Sequence, residues 1–171
     1  MDRNLYLEQK ISQHPAIELL KSMGYIYISP EDCALQRGSN YQVILKDVLR
    51  GQLRRMNRYA YAGVENEFSR ANIERAIEDI DEPLTDGLVR TSEKIYDALL
   101  VGKRLTEIVG DGKMLSLILK YVDWEYLENN LFHVTEEFIV ESQDKQHNAR
   151  PDIVLFINGI PFGVIECKAP Q

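Results

Sequence analysis

The spacing of apolar residues changes along the chain, from helical periodicity in the first two thirds to extended runs near the end. Apolar residues recur every three or four positions in several segments of the first hundred residues, which is the pattern of amphipathic helices. The segments predicted to be helical are Asn4–Met23, Tyr41–Arg58, Glu67–Ile80 and a helix capped by Thr91 or Ser92 that runs to about Leu100. Pro15 predicts a kink or two short helices within the first segment, and Gly24 ends it.

Short apolar segments bounded by turn residues predict the strands. They are Tyr25–Ile28, Leu105–Val109, Met114–Val122, Phe132–Val140, Ile153–Ile157 and Ile160–Ile165. The leucines of Met114–Val122 also fit a helix. Ser29-Pro30 predicts a turn, and residues 141–150 predict a polar loop. Helices followed by strands that look antiparallel indicate an α/β fold with a mixed central β-sheet flanked by α-helices.

Length and composition predict one globular domain. A chain of 171 residues is long enough to bury a substantial core, and we expect a single domain over residues 1–171. The chain contains no run of about 20 apolar residues, so we expect no membrane span. The N-terminus lacks the apolar core of a secretory signal. With only 2 cysteines, a disulfide framework is excluded and a reducing compartment, the cytoplasm, is favoured.

Charged residues stand at the ends of the last two strands, Ile153–Ile157 and Ile160–Ile165. These strands are apolar at both odd and even positions, which is typical of strands covered on both faces. Asp152 precedes the first strand, and Glu166 and Lys168 follow the second. Charges in such a place are costly unless they are paired or bind a metal. The pattern favours a site that holds a divalent cation and cuts phosphodiester bonds, with a hairpin ending in solvated charges as the alternative.

The turn between these two strands decides whether the charged residues can share one site. Asn158-Gly159 is a strong hairpin signal. A regular two-residue loop would pair Asp152 with Ile165 and leave Asp152 and Glu166 on opposite faces. A three-residue loop or a β-bulge would place them on the same face. Because a shared ion needs both carboxylates together, we predict the odd loop or a bulge.

Basic residues are concentrated in one helical segment of an otherwise acidic chain. The net charge of −7 at pH 7 argues against nonspecific coating of DNA. Lys46, Arg50 and Arg54 nevertheless recur every four residues and form one stripe on a helix, with Arg58 as the next member. Two interpretations stay open, namely a contact with phosphate or an acidic partner, and a solvated helix face.

The last quarter of the chain resembles the nuclease core of the PD-(D/E)xK superfamily. The residues that carry the resemblance are NNLFHVTEEFIVESQDKQHNARPDIVLFINGIPFGVIECKAP, with a strand, a polar loop, Arg-Pro-Asp, an Asn-Gly-x-Pro turn and Glu-x-Lys-x-Pro in order. More closely, the chain resembles the N-terminal endonuclease domain of the restriction (R) subunit of type I restriction-modification enzymes. The early segment LLKSMGYIYI also fits that family.

The candidate site is a magnesium centre, with Mn²⁺ as a substitute ion. Asp152 and Glu166 are hard oxygen ligands of the kind that Mg²⁺ prefers. The resemblance implies the main-chain carbonyl of Cys167 as a third ligand, so that its thiol packs on the opposite face. Lys168 is expected to orient the attacking water or to accept its proton. The resemblance also implies a glutamate from the first helix, where Glu8 is the candidate and Glu18 its rival. Arg150 either meets a phosphate or forms a structural ion pair.

The resemblance implies a role inside a larger prokaryotic, cytoplasmic enzyme. The expected partners of this chain are double-stranded DNA and the methyltransferase and specificity subunits. The larger enzyme is expected to use ATP in motor domains that are absent from this chain. The family places a Gln-x-x-x-Tyr element after the Glu-x-Lys strand, and this chain stops at Gln171. We therefore expect a truncated domain with reduced metal affinity and little activity. The alternatives are a non-catalytic nuclease-like docking module for DNA or partner subunits, and a related nuclease outside restriction.

Overall fold

The computed structural model describes residues 12–81, 88–141 and 148–168. The α-helices within these ranges are α1 (His14–Ser22), α2 (Pro30–Arg37), α3 (Lys46–Met56), α4 (Arg70–Ile80) and α5 (Leu88–Val101). The strands are β1 (Ile26–Tyr27), β2 (Arg58–Tyr61), β3 (Val64–Glu67), β4 (Lys103–Val109), β5 (Lys113–Leu119), β6 (Phe132–Glu136), β7 (Val140–Glu141), β8 (Asn148–Ala149), β9 (Ile153–Ile157) and β10 (Ile160–Ile165).

The chain folds into two compact units. The first unit contains Met1–Lys46 and Leu131–Gln171, and the second contains Asp47–Asn130. The candidate site belongs entirely to the first unit, so the ends of the chain build it and the middle of the chain forms a separate unit. The single domain expected over residues 1–171 stays a prediction, because two compact units are compatible with one domain or two.

The first unit is built on a mixed sheet of four strands in the order β1-β6-β9-β10. β1 runs parallel to β6, whereas β9 runs antiparallel to both β6 and β10. This arrangement confirms the predicted mixed central sheet. β9 lies between two neighbours and is buried at four of its five positions, which explains why its sequence is apolar at both parities.

Helices cover both faces of this sheet. On one face, Ile17 and Leu20 of α1 form a buried cluster with Val134 and Ile153. The residues that alternate with these strand positions point to the other face. There, the rings of Phe138 and Phe156 meet edge-on with centroids 5.5 Å apart. The guanidinium of Arg37 in α2 lies 4.0 Å from the centroid of the Phe138 ring, so α2 covers this second face. The predicted flanking helices are thus confirmed.

The second unit combines α3, α4 and α5 with two hairpins, β2-β3 and β4-β5, each a sheet of its own. Leu49 and Leu53 of α3 and Ile73 of α4 are fully buried, as is Leu119 of β5. The hydroxyl of the buried Tyr121 donates to the carbonyl of Ala76 at 2.6 Å. Leu105–Val109 lies within β4, as predicted. The predicted strand Met114–Val122 is confirmed over residues 114–119, which belong to β5, and it ends three residues early; the helical alternative for this segment is wrong.

Several predicted elements differ from the structure for local reasons. Ser29-Pro30 begins α2 and not a turn, because the Ser29 side chain accepts from the Asp32 N–H at 3.1 Å and proline fits the first helical turn. The predicted helix Tyr41–Arg58 is shorter, and Arg58 lies in β2. The β2-β3 hairpin was not predicted, because its turn is Ala62-Gly63, where both residues have positive φ, and not the usual Asn-Gly or Asp-Gly.

Other boundaries shift by a few residues. α4 begins at Arg70 with Ser69 as its cap, and α5 begins at Leu88, so Thr91 and Ser92 lie inside that helix. Residues 141–150, predicted as a loop, include the short β7-β8 pair. No helix in the described ranges has both the length and the apolar character needed to cross a bilayer.

The turn between β9 and β10 is anchored from two directions. Asn158 is fully buried, its N–H donates to the Leu131 carbonyl at 2.8 Å, and its side-chain oxygen accepts from the Leu131 N–H at 2.8 Å. The carbonyl of Gly159 accepts from the N–H of Leu45 at 2.8 Å. The turn is therefore fixed to the start of β6 and to the segment before α3.

Replacing Asn158 tests how far this turn stabilises the first unit. We expect Asn158→Ala to lower the free energy of unfolding by about 2–4 kcal/mol, because a buried N–H loses its acceptor and alanine is forced into a left-handed conformation. Asn158→Gly also removes the side chain but tolerates the left-handed conformation, so it should lose less. Urea unfolding of both variants measures the difference, and an alanine variant as stable as the wild type would contradict the role of this turn.

Candidate functional site

A β-bulge aligns the charged residues at the ends of β9 and β10. Near the turn, Ile160 pairs with Ile157 and Pro161 with Phe156, but Gly163 pairs with Leu155. Phe162 is the extra residue, and Ile165 then pairs with Ile153. Extending this register by one residue beyond the last observed pair brings Asp152 opposite Glu166, which corresponds to one face of the hairpin for both carboxylates.

The bulge confirms the parity prediction in one of its two forms. The turn itself is the short one, since Asn158 and Gly159 have φ of 53° and 85° and Ile157 pairs directly with Ile160. Without the extra residue at Phe162, the same turn would have placed Asp152 opposite Ile165. One inserted residue therefore decides that Ile153, and not Asp152, lies opposite Ile165.

Asp152 is held at its main chain and at its side chain. Its Oδ2 accepts from the main-chain N–H of Cys167 at 2.6 Å, which joins it directly to the Glu-Cys-Lys segment. Its carbonyl oxygen accepts from the N–H of Glu137 at 3.0 Å and from the Nε2 of Gln13 at 3.0 Å. One side-chain oxygen and the main-chain carbonyl of Asp152 are thus both held by hydrogen bonds.

Glu166 and Lys168 are exposed, whereas the residues between and before them face the protein interior. Ile165 and Cys167 pack against the cluster of Ile17, Leu20, Val134 and Ile153. This confirms that the Cys167 thiol packs on the face opposite the charged side chains. The carbonyl oxygen of Lys168 accepts from the Ser12 hydroxyl at 3.1 Å, which attaches the end of this segment to the residues just before α1.

Sequence reasoning missed two residues beside Asp152, namely Glu137 and Gln13. Arg150 forms an ion pair with Glu137, with 2.7 Å between Nε and Oε2, so the structural interpretation of Arg150 is the one observed. The Nε2 of Gln13, which is 2% exposed, lies 3.4 Å from the other oxygen of Glu137. Glu137 becomes a neighbour of Asp152 only through the β6-β9 register, so no signal in the local sequence could have found it.

The donor atoms in this place suit a hard divalent cation. Two carboxylates and nearby main-chain carbonyls offer oxygen ligands, and Mg²⁺ keeps several waters when it binds to proteins. Within the described ranges, no three His, Cys, Asp or Glu side chains are grouped so as to bind a metal, so the candidate set rests on Asp152 and Glu166. Glu8 lies outside the described residues, and its rival Glu18 forms an ion pair with Lys21 at 2.8 Å.

Two of the four basic residues predicted as a stripe, Arg50 and Arg58, form ion pairs within the second unit. Arg50 contacts Asp47 at 2.5 Å and Glu74 at 2.6 Å. Hydrogen bonding to Glu74 raises the pKa of Arg50, and the same bond lowers the pKa of Glu74. Arg58 pairs with Glu67 at 2.7 Å from β2, outside the helix, so it does not continue the stripe. Lys46 begins α3 and Arg54 is exposed on it; their contact with DNA or a partner stays a prediction.

Comparison with known proteins shows which family the chain matches. Residues 5–171 match the model of the type I restriction enzyme R protein N terminus. The chain is 29% identical over 170 residues, or 96% of its length, to a putative type I restriction enzyme MjaIXP endonuclease subunit of Methanocaldococcus jannaschii, covering 15% of that protein. It is 24% identical over 159 residues, or 90% of its length, to the type I restriction enzyme HindI endonuclease subunit of Haemophilus influenzae, covering 14% of it.

A second Methanocaldococcus jannaschii protein, the putative type I restriction enzyme MjaVIIIP endonuclease subunit, is 34% identical over 131 residues, which is 76% of this chain and 11% of that protein. The chain therefore spans between 11% and 15% of the length of these relatives. What the relatives do as whole proteins reaches beyond the part that this chain matches.

The Arg50–Glu74 pair predicts a pH-dependent contribution to stability. Arg50→Ala should lower the free energy of unfolding at pH 7 by up to about 1 kcal/mol, because the pair is partly exposed to solvent. Since the pKa of Glu74 is lower in the folded protein, its contribution is present above the unfolded carboxyl pKa and is lost as the pH falls through the folded pKa. Urea titrations at pH 7 and pH 3 should therefore show the difference between variant and wild type shrinking at acidic pH. Arg75→Ala, which removes an exposed arginine of α4, is the control, and an equal loss in both variants would show that Arg50 has no special role.

Proposed function

The chain belongs to the family of type I restriction enzyme R protein N termini, and we propose that it forms the metal-dependent nuclease site of such an enzyme. The observation that supports the proposal is the bulge at Phe162, after which Ile165 pairs with Ile153. We infer from this register that Asp152 and Glu166, the next residue of each strand, share one face, with Lys168 two positions further on. The proposed core is of the PD-(D/E)xK type, and the proposed reaction is hydrolysis of phosphodiester bonds in foreign DNA.

The side chains would divide the work by their chemistry. Asp152 and Glu166 would hold Mg²⁺ or Mn²⁺, together with the main-chain carbonyl of Cys167. When bound, such an ion supplies Lewis-acid stabilisation of phosphate charge and lowers the pKa of a coordinated water. The hydrogen bond from the Cys167 N–H occupies Oδ2 of Asp152, so Oδ1 is the oxygen proposed to face the ion. Lys168, exposed on the same face, would orient the attacking water or take its proton.

The cleavage would occur within a larger assembly. The relatives are named as endonuclease subunits of type I restriction enzymes, and they are several times longer than this chain. We propose double-stranded DNA, a methyltransferase subunit and a specificity subunit as partners, with ATP used by motor domains outside the matched region. The choice of DNA sequence would then reside in another subunit, which is consistent with the acidic net charge of −7.

A non-catalytic docking module is the second candidate, and one feature favours it. Among the described residues, the site offers two carboxylates and no third acidic, histidine or cysteine side chain in a metal-binding group. A nuclease-like fold that had lost its ion could still bind DNA or sister subunits through its surface. Metal binding therefore separates the two functions before any cleavage assay is needed.

Metal binding is expected to stabilise the protein against unfolding. Mg²⁺ or Mn²⁺ at about 100 times its dissociation constant should add roughly 2.7 kcal/mol to the free energy of unfolding, since the ion binds the folded state alone. Asp152→Ala should abolish this gain. Thermal unfolding with and without each ion makes the measurement, with added NaCl as the control for ionic strength. A full-length wild-type subunit that gains no stability from either ion would favour the docking module.

Cleavage by the complete enzyme should depend on the proposed catalytic residues. In the full-length subunit assembled with its partner subunits, Asp152→Ala should reduce cleavage of circular DNA to background, and Lys168→Ala should reduce it by about 10²–10⁴-fold. Glu136→Gln, which lies outside the proposed site, should leave cleavage unchanged. Circular dichroism checks folding, and ATP hydrolysis checks assembly. Normal cleavage by either the Asp152 or the Lys168 variant would refute the assignment.

A further inference from the structure

Glu137 has a backbone conformation that side-chain-bearing residues rarely adopt. Its φ is 50°, and the other non-glycine residues with positive φ in the described ranges are Ala62 and Asn158. Those two residues occupy the turns of hairpins, where a left-handed conformation is required. Glu137 directly follows β6 and belongs to no such turn. An unfavourable conformation that the hairpin geometry does not demand points to another function for the residue.

The conformation of Glu137 directs two successive N–H groups to the residues that lead into β9. The N–H of Glu137 donates to the Asp152 carbonyl at 3.0 Å, and the N–H of Phe138 donates to the Pro151 carbonyl at 3.2 Å. In a regular strand, successive N–H groups point to opposite sides. The left-handed residue turns both N–H groups toward Pro151-Asp152, so the two carbonyls that they bind lie on either side of the Asp152 Cα.

The Glu137 side chain fixes the same segment a second time. Its Oε2 pairs with Arg150 at 2.7 Å, and its Oε1 lies 3.4 Å from Nε2 of the buried Gln13, which itself donates to the Asp152 carbonyl at 3.0 Å. The Glu137 side chain is 21% exposed, so water screens these contacts only in part. Glu137 thus holds both Arg150 and Asp152, the candidate carboxylate two positions later.

We propose that Glu137 is the positioning residue of the candidate metal site. It does not touch the ion; it holds Asp152 so that Oδ2 stays on the Cys167 N–H and the other oxygen is presented on the face shared with Glu166. Residues that orient metal ligands typically change metal affinity by about 10–100-fold when they are removed. The proposal rests on the proposed function only in naming a metal as the ligand.

Metal affinity is the first measurement. Mn²⁺ titration of the chain, followed by electron paramagnetic resonance, should show affinity about tenfold weaker for Glu137→Ala than for the wild type. Glu136→Ala is the matched control: it removes the neighbouring glutamate, whose carboxylate accepts from the Tyr27 hydroxyl at 2.7 Å. The control should change affinity by less than about twofold. Equal losses in the two variants would overturn the proposal, because they would show a general effect of lost acidity or stability.

Exchange of the Cys167 amide proton is the second measurement, and it needs no metal. This N–H donates to Oδ2 of Asp152, so its exchange rate in nuclear magnetic resonance reports whether the carboxylate is in place. Asp152→Ala gives the rate with the acceptor lost. We expect Glu137→Ala to move the rate toward that value and Glu136→Ala to leave it unchanged. An unchanged Cys167 rate in Glu137→Ala would overturn the proposal.

Exchanging the charges of Glu137 and Arg150 tests their ion pair. The double variant also shows whether a loss in a single variant comes from the broken pair or from misfolding. Glu137→Arg and Arg150→Glu should each weaken metal binding and speed Cys167 exchange, and the double variant should recover part of both. A double variant no better than the worse single variant would contradict a role for the pair. If neither the wild-type chain nor the wild-type full-length subunit binds Mn²⁺, the proposed function fails, and the Cys167 exchange rates alone still decide whether Glu137 positions Asp152.

Discussion

The pairing register between β9 and β10 is the constraint on which the candidate site depends. Side chains alternate along a strand, so a shift of one residue moves every side chain to the other face. The extra residue at Phe162 applies this shift to the outer half of the hairpin, while the two-residue turn stays fixed by Leu131 and Leu45. The same bulge therefore lets Ile165 and Cys167 pack against α1 and leaves Glu166 and Lys168 exposed on the opposite face.

Around this hairpin, the first unit holds its charged groups with partners drawn from distant parts of the chain. Gln13 comes from the start of α1, Glu137 from the end of β6, and the Cys167 N–H from the segment after β10. Partly buried acidic groups need such partners because desolvation disfavours their charged form. As a result, the main-chain carbonyl and one side-chain oxygen of Asp152 both accept hydrogen bonds. The residue nevertheless remains partly exposed.

The order of elements explains why the middle of the chain forms a unit of its own. β1 and β6 are parallel neighbours, and parallel strands cannot be joined by a tight turn. The connection between them holds α2 and then the whole of Asp47–Asn130, which has its own core around Leu49, Leu53 and Ile73. The Arg50–Glu74 ion pair belongs to this second unit, so Arg50 contributes to its internal structure.

The sequence by itself determined the mixed α/β class, the apolar character of β9 and β10, their Asn-Gly turn and the charged residues at their ends. These features follow from local periodicity and turn chemistry, which a short segment expresses whatever lies around it. It also determined that Asp152 and Glu166 need an odd loop or a bulge to share a face. It did not determine α2, where Ser29 acts as a helix cap, or the β2-β3 hairpin, whose turn lacks the usual residues.

Only the tertiary structure decided which of the two solutions to the parity problem is used, and which residues surround Asp152. More than a hundred residues separate Gln13 from Glu137. A polar segment lies between Glu137 and Arg150. They meet because β6 pairs with β9 and α1 packs across the same sheet. Such contacts depend on strand pairing and helix packing between segments that are far apart in the sequence. Local sequence patterns therefore do not predict them.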